Sequence, residues 1–109
     1  MENTDRIFSP DFSMATLCRE VGSNTKYVSM VINATYNKNF KTLLNERRVR
    51  EAARQLSAPG PHNSATIQQL AFSLGYSSST SFIIAFKKVM GMTPTVYRRL
   101  ANERKEHVG

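Results

Sequence analysis

A single cysteine, Cys18, stands in 109 residues. It excludes an internal disulfide framework and suits a reducing compartment such as the cytoplasm. No apolar run is long enough to cross a membrane, and Met1 to Ser9 lacks the apolar core of a signal peptide, so no membrane contact is expected of this segment. There is no Gly-rich phosphate loop, no nucleophile elbow and no spaced carboxylate pair; an enzyme is not expected, and no catalytic residue is assigned. His62 and His107 are isolated, one in a loop and one in the tail, without a neighbouring Cys or acidic pair, so neither a metal site nor a cofactor is expected. Acid is scarce: 8 Asp and Glu face 15 Lys and Arg, a formal charge of +7 with a pI near 10. Such a field favours an anionic partner, most often nucleic acid, although a membrane surface or a ribosomal RNA site gives the same signal.

What the chain does have is a helix-forming stretch at its centre, Phe40 to Leu56, free of Gly and Pro. Its apolar positions do not form one stripe. At about 100° per residue, Phe40, Leu43 and Leu44 fall on one side, while Val49, Ala52, Ala53 and Leu56 fall on nearly the opposite side. A helix that changes its apolar face half-way has two things to bury against. Each half of the chain alone is too short for a comfortable core, and sharing this helix relieves that.

The flanking segments read as those two partners. Ser13 can cap a helix carrying Met14, Leu17, Cys18 and Val21 at i, i+3, i+4, i+7, which Gly22 ends. Cys18 then reads as a small core residue. Asn24 caps the next helix, to about Tyr36, with Val28, Val31 and Ile32 inward and Tyr27 beside them. Lys26, Ser29, Met30 and Asn33 project from its other face. Asn37, which tolerates the left-handed conformation, turns the chain into the central helix. Beyond Leu56, Pro59, Gly60 and Pro61 mark a loop. Thr66 and Gln69 form a capping-box pair ahead of Ile67, Leu70, Ala71 and Leu74, and Gly75 stops that helix. Ser77 caps the following one, with Phe82, Ala85, Phe86 and Val89 inward; Gly91 ends it. Thr93 and Pro94 start a last helix anchored by Val96, Tyr97 and Leu100.

The halves repeat. Leu17, Val21 and Gly22 recur as Leu70, Leu74 and Gly75, and Val28, Val31 and Ile32 recur as Phe82, Ala85 and Phe86, with a second turn one residue longer. The expected organisation is all-α, two helix-turn-helix subdomains joined by a long shared central helix. Its segments are a flexible N-terminus (1–10), a first helix-turn-helix (11–38), a linker helix (39–57), a loop (58–65), a second helix-turn-helix with a final helix (66–101) and a charged tail (102–109).

The run Ile67-Gln68-Gln69-Leu70-Ala71, then Gly75-Tyr76-Ser77, Phe82, Phe86-Lys87-Lys88 and Gly91-Met92-Thr93-Pro94-Thr95-Val96-Tyr97-Arg98, resembles the signature of AraC-type bacterial transcription regulators. The likeness extends to Arg48–Ala52 and to Gly22–Ile32, and covers roughly Phe12 to Arg99. It implies two recognition helices entering neighbouring major-groove segments on one face of double-stranded DNA. Many such regulators carry a separate sensor or dimerisation domain; the chain is either a stand-alone regulator or, as the apolar outward Ile83 and Ile84 favour, a piece of a longer one, with RNA polymerase a further candidate partner. The sequence departs from the pattern at Asn37, where Gly is usual, at Asn33 and Met30, where basic residues are common, and at Ile83 and Ile84, usually polar or basic.

By position in the motif, Lys26, Ser29, Met30 and Asn33 face bases or the groove wall in the first unit, and Ser79, Thr80, Ile83 and Ile84 do so in the second. Asn33 can pair with adenine, and the Met and Ile side chains can meet thymine methyls, which favours A·T-rich sites over bidentate guanine reading. Lys26, Lys87, Lys88 and Arg98 are phosphate candidates, with Ser77 and Ser78 at a helix N-terminus whose N–H groups can hold a phosphate. The plainer readings are a solvated face for Lys87 and Lys88, packing against another helix or domain for Ile83 and Ile84, and solvation or pairing with Glu46 and Glu51 for Arg47, Arg48, Arg50 and Arg54. The competing function is a helical protein-interaction adaptor without direct DNA binding.

Overall fold

The computed structural model describes the backbone of residues 4–58 and 65–108, and the side chains of residues 6–58 and 65–103. A short 3-10 helix, Thr4–Phe8, precedes six α-helices: α1 (Met14–Val21), α2 (Thr25–Tyr36), α3 (Phe40–Ser57), α4 (Ile67–Ser73), α5 (Ser79–Met90) and α6 (Pro94–Val108).

Helix boundaries follow local chemistry. The side chains of Ser13, Asn24, Asn39 and Thr66 each accept a backbone N–H three residues on, and Thr66 with Gln69 completes a capping box. Gly22, Asn37 and Gly91 close α1, α2 and α5 in the left-handed region. In the second turn the cap of α5 is Ser78, whose Oγ accepts from Ser81 N at 3.1 Å, and not Ser77. From glycine to cap this turn is still one residue longer than Gly22–Asn24.

Helix α3 is the common wall. Phe40 and Leu43 lie against a small cluster of Cys18, Val28 and Ile32. Val49, Ala52, Ala53 and Leu56 belong to a larger cluster with Leu70, Leu74, Phe82 and Phe86. The two cores are separate, and α3 reaches each with a different face. Helices α5 and α6 pack on α3 at one end and α2 at the other. The long axis of the molecule measures 50 Å against 27 and 23 Å.

Leu100, expected to anchor the last helix, is 44% exposed. Further expectations also need correction. Val21 and Val31 are 57% and 42% exposed rather than inward. Helices α1 and α3 are the main elements packed on α2, whose buried strip is as narrow as Val28 and Ile32, and Val21 is the last residue of a helix of 8 residues. Within the segment expected to be a flexible N-terminus, Thr4–Phe8 forms a 3-10 helix and Arg48 holds the Ile7 and Ser9 carbonyls, as described below. The last helix runs on past Asn102, with no breaker between Pro94 and Val108. Finally, Arg48 is buried rather than solvated. Most of the loop, residues 59–64 with His62, lies outside the described residues, as does the His107 side chain.

Candidate nucleic-acid interface

Helices α2 and α5 are each held from beneath by apolar residues four apart, Val28 with Ile32 and Phe82 with Phe86. The opposite faces are left to solvent. On α2, Lys26 and Asn33 are exposed, Met30 is 59% exposed and Ser29 is half-buried. Asn33 Nδ2 donates to the Ser29 carbonyl at 3.0 Å, which orients its amide along the helix. On α5, Thr80, Lys87 and Lys88 are exposed, Ile84 is 64% exposed, and Ser79 and Ile83 are half-buried. Ser77 is exposed beside the α5 N-terminus, while the Ser78 hydroxyl is occupied as the cap.

A groove of about 510 Å³ separates the first half of α3 from α5. It gathers Ser77, Ser81, Ile84 and Lys88 of the second unit with Lys41 and Asn45 of α3. Among the described residues Lys26, Lys41, Lys87 and Lys88 have no acidic partner, whereas Lys38 pairs with Glu46 and Arg54 with Glu51. Lys41 was missed by motif reasoning because it lies outside both recognition helices. The distribution of acids would have found it: no Asp or Glu occurs from Val21 to Asn45 or from Ala52 to Asn102. Helices α2 and α5 therefore carry basic side chains and no acidic one of their own.

Arg98 is a different case. Its Nη1 donates to the Ala65 carbonyl at 2.6 Å, tying α6 to the residue ahead of the α4 cap. The guanidinium is half-buried and commits Nη1 to the backbone.

Arg48 is likewise structural. It is 6% exposed. Its Nε donates to the Ile7 carbonyl at 2.6 Å and its Nη2 to the Ser9 carbonyl at 2.9 Å. The guanidinium carbon stands 5.4 Å from the centre of the Tyr76 ring, a cation–π stack. Tyr76 in turn donates its hydroxyl to Asn45 Oδ1 at 2.9 Å. Burial pulls the guanidinium below its ordinary value, opposed by Tyr76, and burial pushes the Tyr76 phenol up to about 12, opposed by Arg48. The folded chain then keeps a proton that the unfolded chain loses near pH 10. This contribution to stability is present below about pH 10 and is lost as pH rises toward about 12. In urea titrations across that interval, Tyr76→Phe is expected to show a shallower decline than the wild type; an identical decline would show that the Tyr76 phenol does not carry the effect.

Residues 17–100 match the family model described as a helix-turn-helix domain. The chain belongs to the AraC-type helix-turn-helix family. This AraC-type chain is 31% identical over 88 residues to an AraC-like transcription regulator of Streptomyces lividans, covering 81% of itself and 28% of that protein. It is 26% identical over 92 residues to the raffinose operon transcriptional regulatory protein of Pediococcus pentosaceus, covering 84% of itself and 32% of the relative. It thus spans about a third or less of the curated relatives it matches. Among solved structures, the C-terminal domain of AraT, a response regulator from Geobacillus stearothermophilus, superposes with a TM-score of 0.79 at 27% identity over 91% of this chain and 79% of that one. The DNA-binding domain of AdpA, a global transcriptional factor solved with a target DNA, gives 0.84 at 17% identity over 95% of this chain and 89% of its own, a likeness of fold. Among the described residues no helix is long and apolar enough to cross a membrane.

Proposed function

We propose that this AraC-type chain is the double-stranded DNA-binding part of a transcription regulator and lays α2 and α5 into neighbouring major-groove segments. The observation that carries the reading is the pair of exposed, acid-free helices seated on opposite faces of one unbroken helix. The 18 residues of α3 span about 27 Å at 1.5 Å each, and major-groove entries on one face of B-DNA recur about every 34 Å. A molecule 50 Å long can present both helices at that spacing.

In this reading Lys26, Ser29, Met30 and Asn33 meet bases or the groove wall from α2, and Ser79, Thr80, Ile83 and Ile84 do so from α5. Lys26, Lys41, Lys87 and Lys88 neutralise phosphates, and the exposed Ser77 with the N–H groups after Ser78 adds a helix N-terminal contact. The apolar Met30, Ile83 and Ile84, with Asn33, favour A·T-rich steps. No residue is assigned a catalytic role. RNA polymerase, and a sensor or dimerisation domain joined to this segment, are the partners this reading allows, in the bacterial cytoplasm.

Selection of bound fragments from random duplexes tests the reading and returns its motif. With four lysines on phosphates, affinity is expected to fall about 100-fold between 50 and 200 mM salt. Lys87→Ala is expected to lower the salt slope by about one and to weaken all duplexes alike. The exposed Tyr27, Met30 and Val31 on α2 favour the adaptor as the second reading. Absence of duplex binding at low salt, or binding indifferent to salt, would decide for it.

A further inference from the structure

The two helix-turn-helix units share a topology but not a construction at the turn. An ideal Cβ on Gly22 meets nothing within 4 Å. On Gly75 it would lie 2.7 Å from Arg48 Nη2 and 2.9 Å from the Phe8 carbonyl oxygen. Three segments far apart in sequence converge there: the N-terminal strap of residues 4–12, helix α3 through Arg48, and the turn that leads through Tyr76 to the α5 cap. Arg48 joins all three, by hydrogen bonds to Ile7 and Ser9 and by its stack on Tyr76. The strap is tied elsewhere too. Arg6 forms an ion pair with Glu20 on α1, and the Phe12 ring stands 5.8 Å from that of Phe40.

We propose that Arg48 is a positioning residue that clamps the N-terminal strap onto the turn ahead of α5, so that the strap governs how the second reading helix, and not the first, meets DNA. The inference rests on the DNA-binding reading of α5. The physical reason is leverage. Tyr76 is two residues from the Ser78 cap, and its ring is held between Arg48 and its hydroxyl bond to Asn45. Releasing the strap leaves Arg48 with its donors unpaired in a buried site, where each must be re-satisfied by movement of the guanidinium or by water. Either moves the surface on which Tyr76 rests. The first unit has Ser23 in the corresponding place and no such clamp. A segment or partner that lifts the strap therefore alters one half of the interface.

The test uses the full chain with Arg48→Met, which keeps an apolar stem and removes both hydrogen bonds. In the free protein, amide exchange at Tyr76 to Ser81 is expected to quicken about ten-fold, with the amides of α2 unchanged. On the duplex selected by the wild type, base changes under α5 are expected to lose about ten-fold in discrimination, while those under α2 keep theirs. Arg48→Lys, which retains a cation able to reach one carbonyl, should restore part of both. If Arg48→Met does not fold, a chain lacking residues 1–9 carries the same selective expectation. Equal quickening in α2 and α5, or equal loss of discrimination in both halves, makes Arg48 a stabiliser of the whole and overturns the proposal, as does no change in either. Failure of the wild type to select any duplex instead sinks the DNA reading, and the exchange pattern then decides the clamp separately.

Discussion

Phe86→Ala is expected to cost about 3–5 kcal/mol and to lower the melting midpoint by roughly 15 °C or more. The Phe86 side chain is fully buried. Its ring sits edge-on to Phe82 at 5.7 Å and to Tyr97 at 5.6 Å, so one side chain joins α5 to α6 while both pack on α3. Truncation removes the transfer free energy of the ring and leaves a cavity beside Phe82 in a cluster that includes the fully buried Leu56 and Leu74, which limits collapse into it. Ile84→Ala, two residues away and 64% exposed, is expected to stay within about 0.5 kcal/mol. Both units should melt in one transition. The first core has only Cys18, Val28 and Ile32 buried and needs α3 to be helical, and α3 is held chiefly by the second core. Thermal melts followed by circular dichroism compare the two variants. Matching midpoints would mean that the α5–α6 seam contributes little.

Periodicity and capping carried the architecture. The change of face along α3 was readable because Phe40, Leu43 and Leu44 lie nearly half a turn round from Val49, Ala52 and Leu56, and the two cores divide at that point. The caps at Ser13, Asn24 and Thr66 were readable ahead of their apolar periodic runs. The cap was not readable at Ser77–Ser81, where several hydroxyls offer equal chemistry and burial of Phe82 selects Ser78. Periodicity gives the direction of an apolar side chain but not how many neighbours cover it, hence the exposure of Val21 and Val31. The fates of Arg48 and Arg98 were out of reach for another reason. Their partners are backbone carbonyls of Ile7, Ser9 and Ala65, 41, 39 and 33 residues away in the chain. Every residue has a carbonyl, so no side-chain pattern announces which arginine will find one. The outward faces of α2 and α5 were readable from the motif, whereas the groove with Lys41 required the packing of α5 on α3.

Gly75→Ala is expected to destabilise by about 2–4 kcal/mol, and Gly22→Ala by about 1 kcal/mol, although both glycines end the first helix of a helix-turn-helix. The difference is space. Both residues have positive φ, 98° at Gly75 and 70° at Gly22, so an alanine is strained at either. Only at Gly75 does the added methyl also run into neighbours, and one of them, the Phe8 carbonyl, is backbone that yields only if the strap moves. The Arg48 tip can swing away, but in doing so it gives up the Ser9 carbonyl and its place over Tyr76. The two costs are coupled through the strap, which makes the cause separable from the backbone strain. In a chain lacking residues 1–9, the additional penalty of Gly75→Ala should shrink toward that of Gly22→Ala, since the blocking carbonyl is gone. Chemical denaturation of the four variants gives the coupling directly. Equal penalties for Gly75→Ala with and without the strap would show that the turn is confined by something other than the Phe8 carbonyl.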